Sequence, residues 1–499
     1  VIMTRLPNLI AAAAIAVLSI TLAHASSGTF RQSHYGGFKG LDLDPASENR
    51  FWQVTEKTMS RLIRPGEGGK PDADLATEWS SNADATEWIF KLREGVKFHD
   101  GSDFDAADVI YTLNHVKDPE FDSTGAAVIK MIDTIEAVDP FTVKMTLSAP
   151  YPDLGLALQD YRLRMIPEGS ADTISTTGIG TGPFMLDTYD PDGTTVLKAN
   201  PDYWEGSPGV ETVEIIAIVD ANARVQALQT GQIDMLGWSD MTGESRLLFE
   251  NNSDYKMLRV ETGAWTGINF MTDAEPFTDP RVRKALRIAT DRQALIDLIL
   301  GPGNGTVACD QPVWTGDQYW TPIDCPQQID EAKRLLAEAG YPDGIEFDIN
   351  SSNIESYFIP LAEAYQQQVA EAGIKANIVV APAEGYWSEV WLKLPTAQTR
   401  WGQNPADKIL NADFRSTAAW NETRFNDPDF DALLDQAGQE PDFEKRKALY
   451  GQLQRIIYET GGNFIPFHMN QAIAVTARVS GMQAVVGDAV RYHLITVSD

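Results

Sequence analysis

Several aromatic side chains stand in polar, loop-like surroundings, often beside glycine, a composition that suits a ligand cleft. They are Tyr35, Trp238, Trp265, Trp387 and Trp401. An aromatic face can stack on a polar ligand while nearby backbone and amide groups hydrogen-bond its edge. Core packing is the alternative for each tryptophan, and the two interpretations are balanced for the glycine-flanked Trp265 and Trp401. These residues predict noncovalent binding of a small polar molecule.

No assembled catalytic or metal motif accompanies them. The sequence has no GxSxG elbow, HExxH helix, GxxxxGK[ST] loop or EF-hand loop. The glycine-rich segment 178–182 continues into Pro183 and a strand-like run, so a turn explains it better than a dinucleotide site. The histidines show no ligand spacing, and 71 acidic residues allow many carboxylate pairs without selecting one. We therefore expect no enzyme activity, cofactor or metal.

The N-terminus has the pattern of a secretory signal peptide over residues 1–25. Arg5 precedes the uncharged run Leu9–Ala23, and Ala23-His24-Ala25 forms an A-x-A cleavage site. A membrane anchor is the alternative, but no long apolar stretch or basic stop-transfer flank follows. No cysteine lies near the cleavage point, which argues against a lipid anchor. We predict a mature chain that begins near Ser26 and is exported to the periplasm, with no membrane-embedded segment.

Export would place the two cysteines, Cys309 and Cys325, in an oxidising compartment. A disulfide between them would close a short loop and stabilise the fold by about 3 kcal/mol in the chain-entropy model. Two unpaired thiols are the alternative. Their spacing is not CxxC, so neither a redox site nor a zinc site is indicated.

Length and charge limit the class of protein. The 499 residues suffice for two or three lobes, and 43% hydrophobic residues is ordinary for a globular chain. The formal net charge of −31 repels phosphate backbones and anionic lipids, which makes nucleic acid a poor partner.

Helices and strands alternate along the chain, which predicts an α/β fold. Asp105, Asp220 and Asp442 can each cap a helix. Asp279-Pro280 predicts a helix that runs on to Leu300. β-Rich stretches between the helices include Val143–Leu147, Thr195–Lys198, Val213–Val219, Glu346–Ile349 and Asn377–Val380.

Two neighbouring segments are distinctive: LREGVKFHDG at 92–101 and FDAADV at 104–109. Through them the chain resembles the peptide-type extracellular solute-binding proteins of ABC importers, the family of the dipeptide-, oligopeptide- and nickel-binding proteins. Further matching segments follow in chain order at 180–184, 199–204, 224–234, 276–286, 332–341 and 465–466. They cover nearly the whole mature chain, and they specify the family but not the ligand.

The resemblance implies a two-lobed periplasmic binding protein with a hinge and an extra subdomain in the N-terminal lobe. Lobe I would comprise 26–72, 178–263 and 470–499, the additional subdomain 73–177, and lobe II 264–469. It also implies closure of the lobes over a small polar ligand and delivery to an inner-membrane ABC permease. A monomer is the default expectation, since the sequence does not report the oligomeric state.

The same resemblance bears on ligand class through the segment around Trp401. Peptide binders of the family place an aspartate three residues after this tryptophan, to pair with the α-ammonium group of the peptide. Here that position is Asn404, although Asp407 could substitute. An amide cannot neutralise a buried ammonium group. With Arg400 and Gln403, the segment suits a sugar, an opine-like conjugate or a modified peptide, unless these side chains only shape a loop.

Two other functional classes remain open. A periplasmic hydrolase would turn its substrate over, and a chaperone or chemosensory receptor on the same fold would act without a permease.

Overall fold

The computed structural model describes residues 28–34, 40–41, 52–121, 123–218, 220–237, 241, 243–382, 385–483 and 490–498. Within them, aspartates start many helices as the sequence predicts. The Asp105 side chain accepts a hydrogen bond from the Ala107 amide, and Asp108 closes a capping box. The described helices are α1 (Trp52–Thr58), α2 (Ala106–Lys117), α3 (Leu154–Ala157), α4 (Ala171–Thr177), α5 (Ala221–Gln229), α6 (Gly243–Arg246), α7 (Pro280–Ile288), α8 (Arg292–Ile299), α9 (Ile329–Glu338), α10 (Phe358–Val369), α11 (Ala406–Ile409), α12 (Pro428–Gln439) and α13 (Phe443–Thr460).

The strands lie between these helices throughout the described chain. They are β1 (Thr29–His34), β2 (Ile63–Pro65), β3 (Pro71–Ala73), β4 (Ala76–Ser81), β5 (Glu87–Leu92), β6 (Ile132–Asp139), β7 (Thr142–Leu147), β8 (Phe184–Thr188), β9 (Thr194–Ala199), β10 (Thr212–Ala217), β11 (Met235–Leu236), β12 (Tyr255–Phe270), β13 (Gly305–Val307), β14 (Ile345–Ser352), β15 (Ile374–Ala381), β16 (Thr396–Trp401), β17 (Asn463–Thr476), β18 (Val479–Ser480) and β19 (Thr496–Val497). The α/β class is confirmed.

One helix prediction is wrong. The chain from Pro280 does not continue as a single helix to Leu300, because α7 ends at Ile288 and α8 begins at Arg292. The Asp291 side chain accepts a hydrogen bond from the Ala294 amide and caps the second helix. An aspartate at this position supplies a new N-terminus, and the apolar periodicity on either side hides the break.

Two long strands join the halves of the molecule. The main sheet has the order β16-β12-β17-β11-β1-β10-β9-β8, with β13 also on β17. Strands β12 and β17 pair along most of their length, and their register shifts between Val260 and Ala264. On one side of this irregularity β17 pairs with β11, and on the other side β12 pairs with β16. The long pair therefore crosses from the predicted lobe I into the predicted lobe II.

The hydrophobic clusters follow the predicted parts incompletely, because the cluster of the additional subdomain also contains Met59, Leu62 and Ile63 of the predicted lobe I. A four-stranded sheet, β4-β5-β7-β6, lies within the range predicted for the additional subdomain and packs against α2. The parallel pair β14-β15 packs with α7, α9 and α10 in the range of lobe II. We use the predicted boundaries as definitions of lobe I, the additional subdomain and lobe II, and those boundaries stay predictions.

The glycine-rich segment 178–182 precedes strand β8, as the turn interpretation predicts. A Cβ atom on Gly180 would lie 2.2 Å from the Thr58 carbonyl oxygen. The glycines therefore permit close backbone packing against α1, a role that needs no cofactor.

Candidate functional site

The lobe I side of the site is the edge where parallel strands end. Strand β1 pairs in parallel with β10 and with β11. The carboxyl ends of parallel strands meet at one edge of a sheet, which is where open α/β sheets bind ligands. Strand β1 ends at His34 and β11 at Leu236. The predicted binding residues Tyr35 and Trp238 follow these ends closely, and both lie outside the described residues.

The lobe II side is built on a pair of stacked tryptophans. Trp265 on β12 lies opposite Trp401 on β16, and the two ring centroids are 6.4 Å apart with an interplanar angle of 23°. Trp265 is 1% exposed, whereas Trp401 is half-buried. The edge of Trp420, which is 53% exposed, contacts Trp401 at a centroid distance of 5.7 Å. The three indoles thus lead from the core of lobe II to solvent.

A buried carboxylate fixes the orientation of these rings. Glu422, only 2% exposed, accepts hydrogen bonds from the Trp401 Nε1 at 3.1 Å and from the Trp391 Nε1 at 2.6 Å. It also accepts from the Thr399 hydroxyl, and from the Asn269 side chain at 2.7 Å. One carboxylate therefore ties β12, β16 and the Trp391 segment together. The sequence carries no motif that distinguishes Glu422 from the other acidic residues.

A second buried carboxyl group lies beside Glu422. Asp413 accepts hydrogen bonds from the Glu422 amide at 3.3 Å and from the Asn463 side chain at 3.3 Å. Burial raises the pKa of Glu422 to about 7, and burial together with Glu422 holds the pKa of Asp413 well above its usual range. Two buried carboxyl groups this close resist double ionisation, so the pair retains a proton near neutral pH.

The predicted polar residues after β16 have different surroundings. Arg400 pairs with Glu355 and keeps 42% of its side chain exposed. The Gln403 Oε1 accepts a hydrogen bond from the Gly263 amide at 2.9 Å. Gly263 lies in the register irregularity of β12, so Gln403 attaches this loop to the point where the chain crosses between lobes.

Asn404 is half-buried at the same loop. Its side-chain amide donates to the Gly402 carbonyl at 3.0 Å. The loop therefore presents an amide, not a carboxylate, at the position three residues after Trp401.

Asp407 belongs to a different set of contacts. Its Oδ1 accepts hydrogen bonds from the Tyr450 hydroxyl at 2.9 Å and from the Asn411 side chain at 3.0 Å. Its Oδ2 accepts from the Tyr151 hydroxyl at 3.3 Å. Burial raises the pKa of Asp407. Because Tyr151 comes from the additional subdomain, Asp407 contributes to a contact between that subdomain and lobe II.

We call this contact the interlobe contact. It joins the segment 151–160 to lobe II. The Tyr319 hydroxyl lies 2.8 Å from both carboxylate oxygens of Asp153, and Arg446 lies 3.7 Å from the same group. Lys408 pairs with Asp160 at 3.6 Å. Burial raises the pKa of Asp153 to about 6, against the opposing effects of Arg446 and of the Tyr319 hydroxyl. The interlobe contact therefore contains a carboxyl group that titrates in the physiological range.

The disulfide is confirmed. Cys309 and Cys325 are bonded, with Cα atoms 5.6 Å apart. The loop that they close carries Tyr319 to the interlobe contact. Within it, Asp317 accepts from the Tyr319 amide at 2.8 Å and from the Ala406 amide at 3.0 Å. The crosslink thus supports a loop that reaches the additional subdomain.

Trp387 packs in an aromatic group that connects to the Trp401 region through Trp391, which shares the Glu422 carboxylate with Trp401. Its ring meets Trp391 edge-on at 5.7 Å and Phe358 at 6.2 Å, with Tyr386 at 5.3 Å. The side chain remains half-buried, and its role in binding stays a prediction.

The described part of the chain shows no group of three or more His, Cys, Asp or Glu side chains placed to hold a metal ion. Among the described helices, none is long and apolar enough to cross a membrane.

Comparison with known proteins gives a consistent result. The model of the "Bacterial extracellular solute-binding proteins, family 5 Middle" matches residues 70–421. The glutathione-binding protein GsiB of Salmonella paratyphi A is 30% identical over 444 residues, which covers 85% of each chain.

Solved structures share the fold. The ABC transporter substrate-binding protein CtaP of Listeria monocytogenes superposes with a TM-score of 0.85 at 21% identity, covering 95% of this chain and 100% of that one. The binding protein AgaA of A. tumefaciens R10, in complex with agropinic acid, gives 0.74 at 25% identity, covering 95% and 99%. The predicted two-lobed fold is thereby confirmed.

Proposed function

Because the chain belongs to the family 5 bacterial extracellular solute-binding proteins, the ligand receptors of ABC importers, we propose that it captures an anionic amino-acid conjugate of the opine type between its lobes. The family match confirms the resemblance drawn from the sequence. The choice of ligand class rests on the residues around Trp401.

The observation that carries this choice is the absence of a usable carboxylate in the loop after β16. Position 404 is an asparagine, and both oxygens of Asp407 already accept tyrosine hydroxyl groups, from Tyr450 and Tyr151. A free α-ammonium group buried beside Trp401 would lack an ionic partner from this loop. A ligand whose amine nitrogen is acylated carries no positive charge there and avoids that cost.

The half-buried face of Trp401 supplies the contact area in this proposal. Glu422 holds the indole in place before a ligand arrives, so stacking costs little side-chain entropy. Arg400 precedes Trp401 on β16, where successive side chains point to opposite faces of the sheet, and it already pairs with Glu355. A contact between Arg400 and a ligand carboxylate would therefore require this ion pair to rearrange. Gln403 and Asn404 supply amide groups for polar edges, and Tyr35 and Trp238 would close the ligand from lobe I.

The relatives support two ligands in particular. AgaA was solved with agropinic acid, an opine, and GsiB is named for glutathione, a modified peptide. Glutathione is the second candidate on the strength of this relative alone, because its γ-glutamyl residue keeps a free α-ammonium group that would need an ionic partner outside the loop after β16. Unmodified dipeptides and oligosaccharides are the other ligand classes that the sequence allows.

Capture would occur by a shift in population. A ligand that contacts both lobes only in the closed form favours that form by its differential affinity. Strands β12 and β17 connect the two lobes. The interlobe contact would form as the lobes close. The permease would then recognise the closed receptor and receive the solute unaltered.

The direct test is a thermal-shift and calorimetric panel with agropinic acid, glutathione, Ala-Ala and maltotriose. At about 100 times the dissociation constant, a ligand should add about 2.7 kcal/mol to stability. We expect agropinic acid to bind and Ala-Ala not to bind. Binding of glutathione would show that a free α-ammonium group finds its ionic partner outside the loop after β16. Tight binding of Ala-Ala alone would contradict the proposed ligand class. Mass spectrometry of the recovered ligand tests the hydrolase alternative, which requires an altered product.

A charge change at one position sharpens the test. Asn404→Asp should weaken binding of the anionic ligand and create measurable affinity for Ala-Ala. The control is Asn353→Asp, which adds the same charge at an exposed position of lobe II. Equal effects of the two variants would exclude Asn404 from ligand recognition.

Location and partners complete the proposal. We place the mature receptor in the periplasm as a monomer that meets an inner-membrane ABC permease, after removal of residues 1–25. N-terminal sequencing of exported protein tests the cleavage at Ser26, and co-purification with a permease separates import from a chaperone or chemosensory role.

A further inference from the structure

A cavity of about 70 Å³ lies between lobe I and the additional subdomain. None of its described lining residues belongs to lobe II, so it is separate from the cleft between the lobes. Arg61 and Arg164 both line it, and they are 8% and 3% exposed. Two guanidinium groups are thus buried at one site.

The backbone brings the two arginines together. Arg61 and Arg164 form an antiparallel β-bridge, so they lie directly opposite each other. The Arg61 Nη1 donates to the Gln159 carbonyl at 2.5 Å, and the Arg164 Nη1 donates to the Met59 carbonyl at 3.0 Å. The Arg164 Nε is buried without a hydrogen-bond partner. Among the described residues, no carboxylate lies within 4.0 Å of either guanidinium group.

The carboxylates at the cavity are engaged elsewhere. Glu205 binds both Nη atoms of Arg64 at 2.7 Å. Asp74 accepts from the Arg61 backbone amide at 2.8 Å, and its nearest guanidinium is that of Arg64 at 3.9 Å. These two acids therefore do not provide direct ion pairs for Arg61 and Arg164.

The third lining carboxylate is also paired. Glu56 accepts from Lys57 at 2.7 Å and from the Tyr492 hydroxyl at 2.8 Å. Another lining cation, Arg491, binds Asp72 at 3.0 Å. Arg64, Arg491 and Lys57 thus have direct carboxylate partners, whereas Asp74, Glu56 and Asp160 attract the two opposed arginines from beyond ion-pair distance.

Such an arrangement is unfavourable without a counter-ion. A buried charge without an ionic partner is strongly destabilising. Burial, and then the repulsion of Arg61, lower the pKa of Arg164 to about 9. An anion between the two guanidinium groups would remove both penalties.

We propose that this cavity binds a small inorganic oxyanion, such as sulfate or phosphate, between Arg61 and Arg164. The planar fork of a guanidinium group matches the spacing of oxyanion oxygens. A single ordered water needs roughly 10–15 Å³ of such volume, so the cavity can hold about five non-hydrogen atoms, the size of a tetrahedral oxyanion. Bound there, the anion would bridge lobe I and the additional subdomain.

The first test uses the mature protein and two probes, sodium sulfate and sodium phosphate, against sodium chloride at equal ionic strength. A saturable rise in Tm of about 1–3 °C with either oxyanion, and none with chloride, supports the site. Crystals soaked in selenate should show anomalous density between Arg61 and Arg164. Water-only density in the cavity and identical Tm values in the three salts would overturn the proposal.

Variants assign the effect to the cavity. Arg164→Gln should weaken sulfate binding at least about tenfold, and Arg164→Lys should retain part of it. Arg281→Gln removes an exposed arginine and should leave sulfate binding unchanged. If Arg164→Gln does not fold, the selenate experiment on the unmodified protein still shows whether an oxyanion binds between Arg61 and Arg164. Equal sulfate responses of Arg164→Gln and the unmodified protein would contradict the assignment.

Discussion

The Trp401–Glu422 region and the interlobe contact are both rich in aromatic and carboxyl groups. The two regions differ in where the hydrogen-bond donors to their carboxyl groups come from. Glu422 finds all its described donors within lobe II. Asp153 and Asp407 find theirs partly across the boundary, at Tyr319 and Tyr151. In the proposed opening of the lobes, the first region would therefore keep its hydrogen bonds, whereas the second region would lose some of them.

This difference separates two roles. A preorganised surface holds its shape at all times and contributes to the affinity of each ligand contact. A contact made only on closure contributes to the equilibrium between open and closed forms. Changes in the first region should alter stability or ligand contact, and changes in the second should alter closure.

The largest effect is expected from Glu422→Ala. The substitution leaves four donors without their acceptor, two of them fully buried, and should lower the free energy of unfolding by about 3–5 kcal/mol. Urea denaturation measures the loss. Glu355→Ala is the control, since its partly exposed pair with Arg400 should contribute less than about 1 kcal/mol. Equal losses would remove the distinction between a preorganised region and ordinary surface contacts.

Next in size is the disulfide. Replacing both Cys309 and Cys325 with serine should lower the free energy of unfolding by about 3 kcal/mol, because the sequence separation is 16 residues. The loop carries Tyr319 to the interlobe contact, so ligand affinity should also fall. Denaturation and calorimetry on the same samples measure both quantities, and dithiothreitol treatment of the unmodified protein is the control. Lower stability with unchanged affinity would show that the loop does not support closure.

Trp401→Ala should act on affinity more than on stability. Loss of a central aromatic contact weakens binding by about 2 kcal/mol or more, or about 30-fold, measured by calorimetry with the ligand found in the panel. Trp265→Phe is the matched comparison, since that residue is 1% exposed and its change should reduce stability instead. If Trp401→Ala retains full affinity, the ligand does not stack there.

The smallest effect concerns pH. In the interlobe contact, burial raises the pKa of Asp153 to about 6, whereas solvent exposure in the open form would return it towards 3.8. Closure therefore takes up a proton, so affinity should rise roughly tenfold as pH falls from 7.5 to 5, and the gain is lost as pH rises through 6. Asp153→Asn should remove this dependence.

Neighbouring groups provide the control for that profile. Arg446 and Tyr319 oppose the shift at Asp153, while Asp407 and Asp317 add to it. Burial also raises the pKa of Asp317 to about 6, but its hydrogen bonds are to amides of lobe II. Asp317→Asn should therefore leave the pH dependence of affinity largely in place. Identical profiles for Asp153→Asn and the unmodified protein would exclude the interlobe contact as the source.

The sequence predicted local features, such as helix starts, better than it predicted the Trp401–Glu422 region or the interlobe contact. Aspartate caps located helix starts such as that of α2, because capping depends on neighbours along the chain. Trp265 and Trp401 could not be told apart, since both lie beside glycine and only the pairing of β12 with β16 decides which ring is covered. Glu422 was missed because its donors come from distant segments.

The pairing of Cys309 with Cys325 was accessible from export and spacing, since a chain with two cysteines has one possible intramolecular bridge. The interlobe contact was not accessible. Tyr151 and Asp407 are 256 residues apart in sequence, and no local pattern reports a contact over that distance.

In the proposed mechanism, the two lobes close over a solute that leaves chemically unchanged. Small-angle X-ray scattering of the mature protein, with and without a saturating ligand from the panel, tests closure most directly when the ligand is recovered for mass spectrometry. Closure predicts a smaller radius of gyration with ligand, and a binding role predicts an intact solute afterwards. Superimposable scattering profiles at saturation, or a converted molecule, would contradict it.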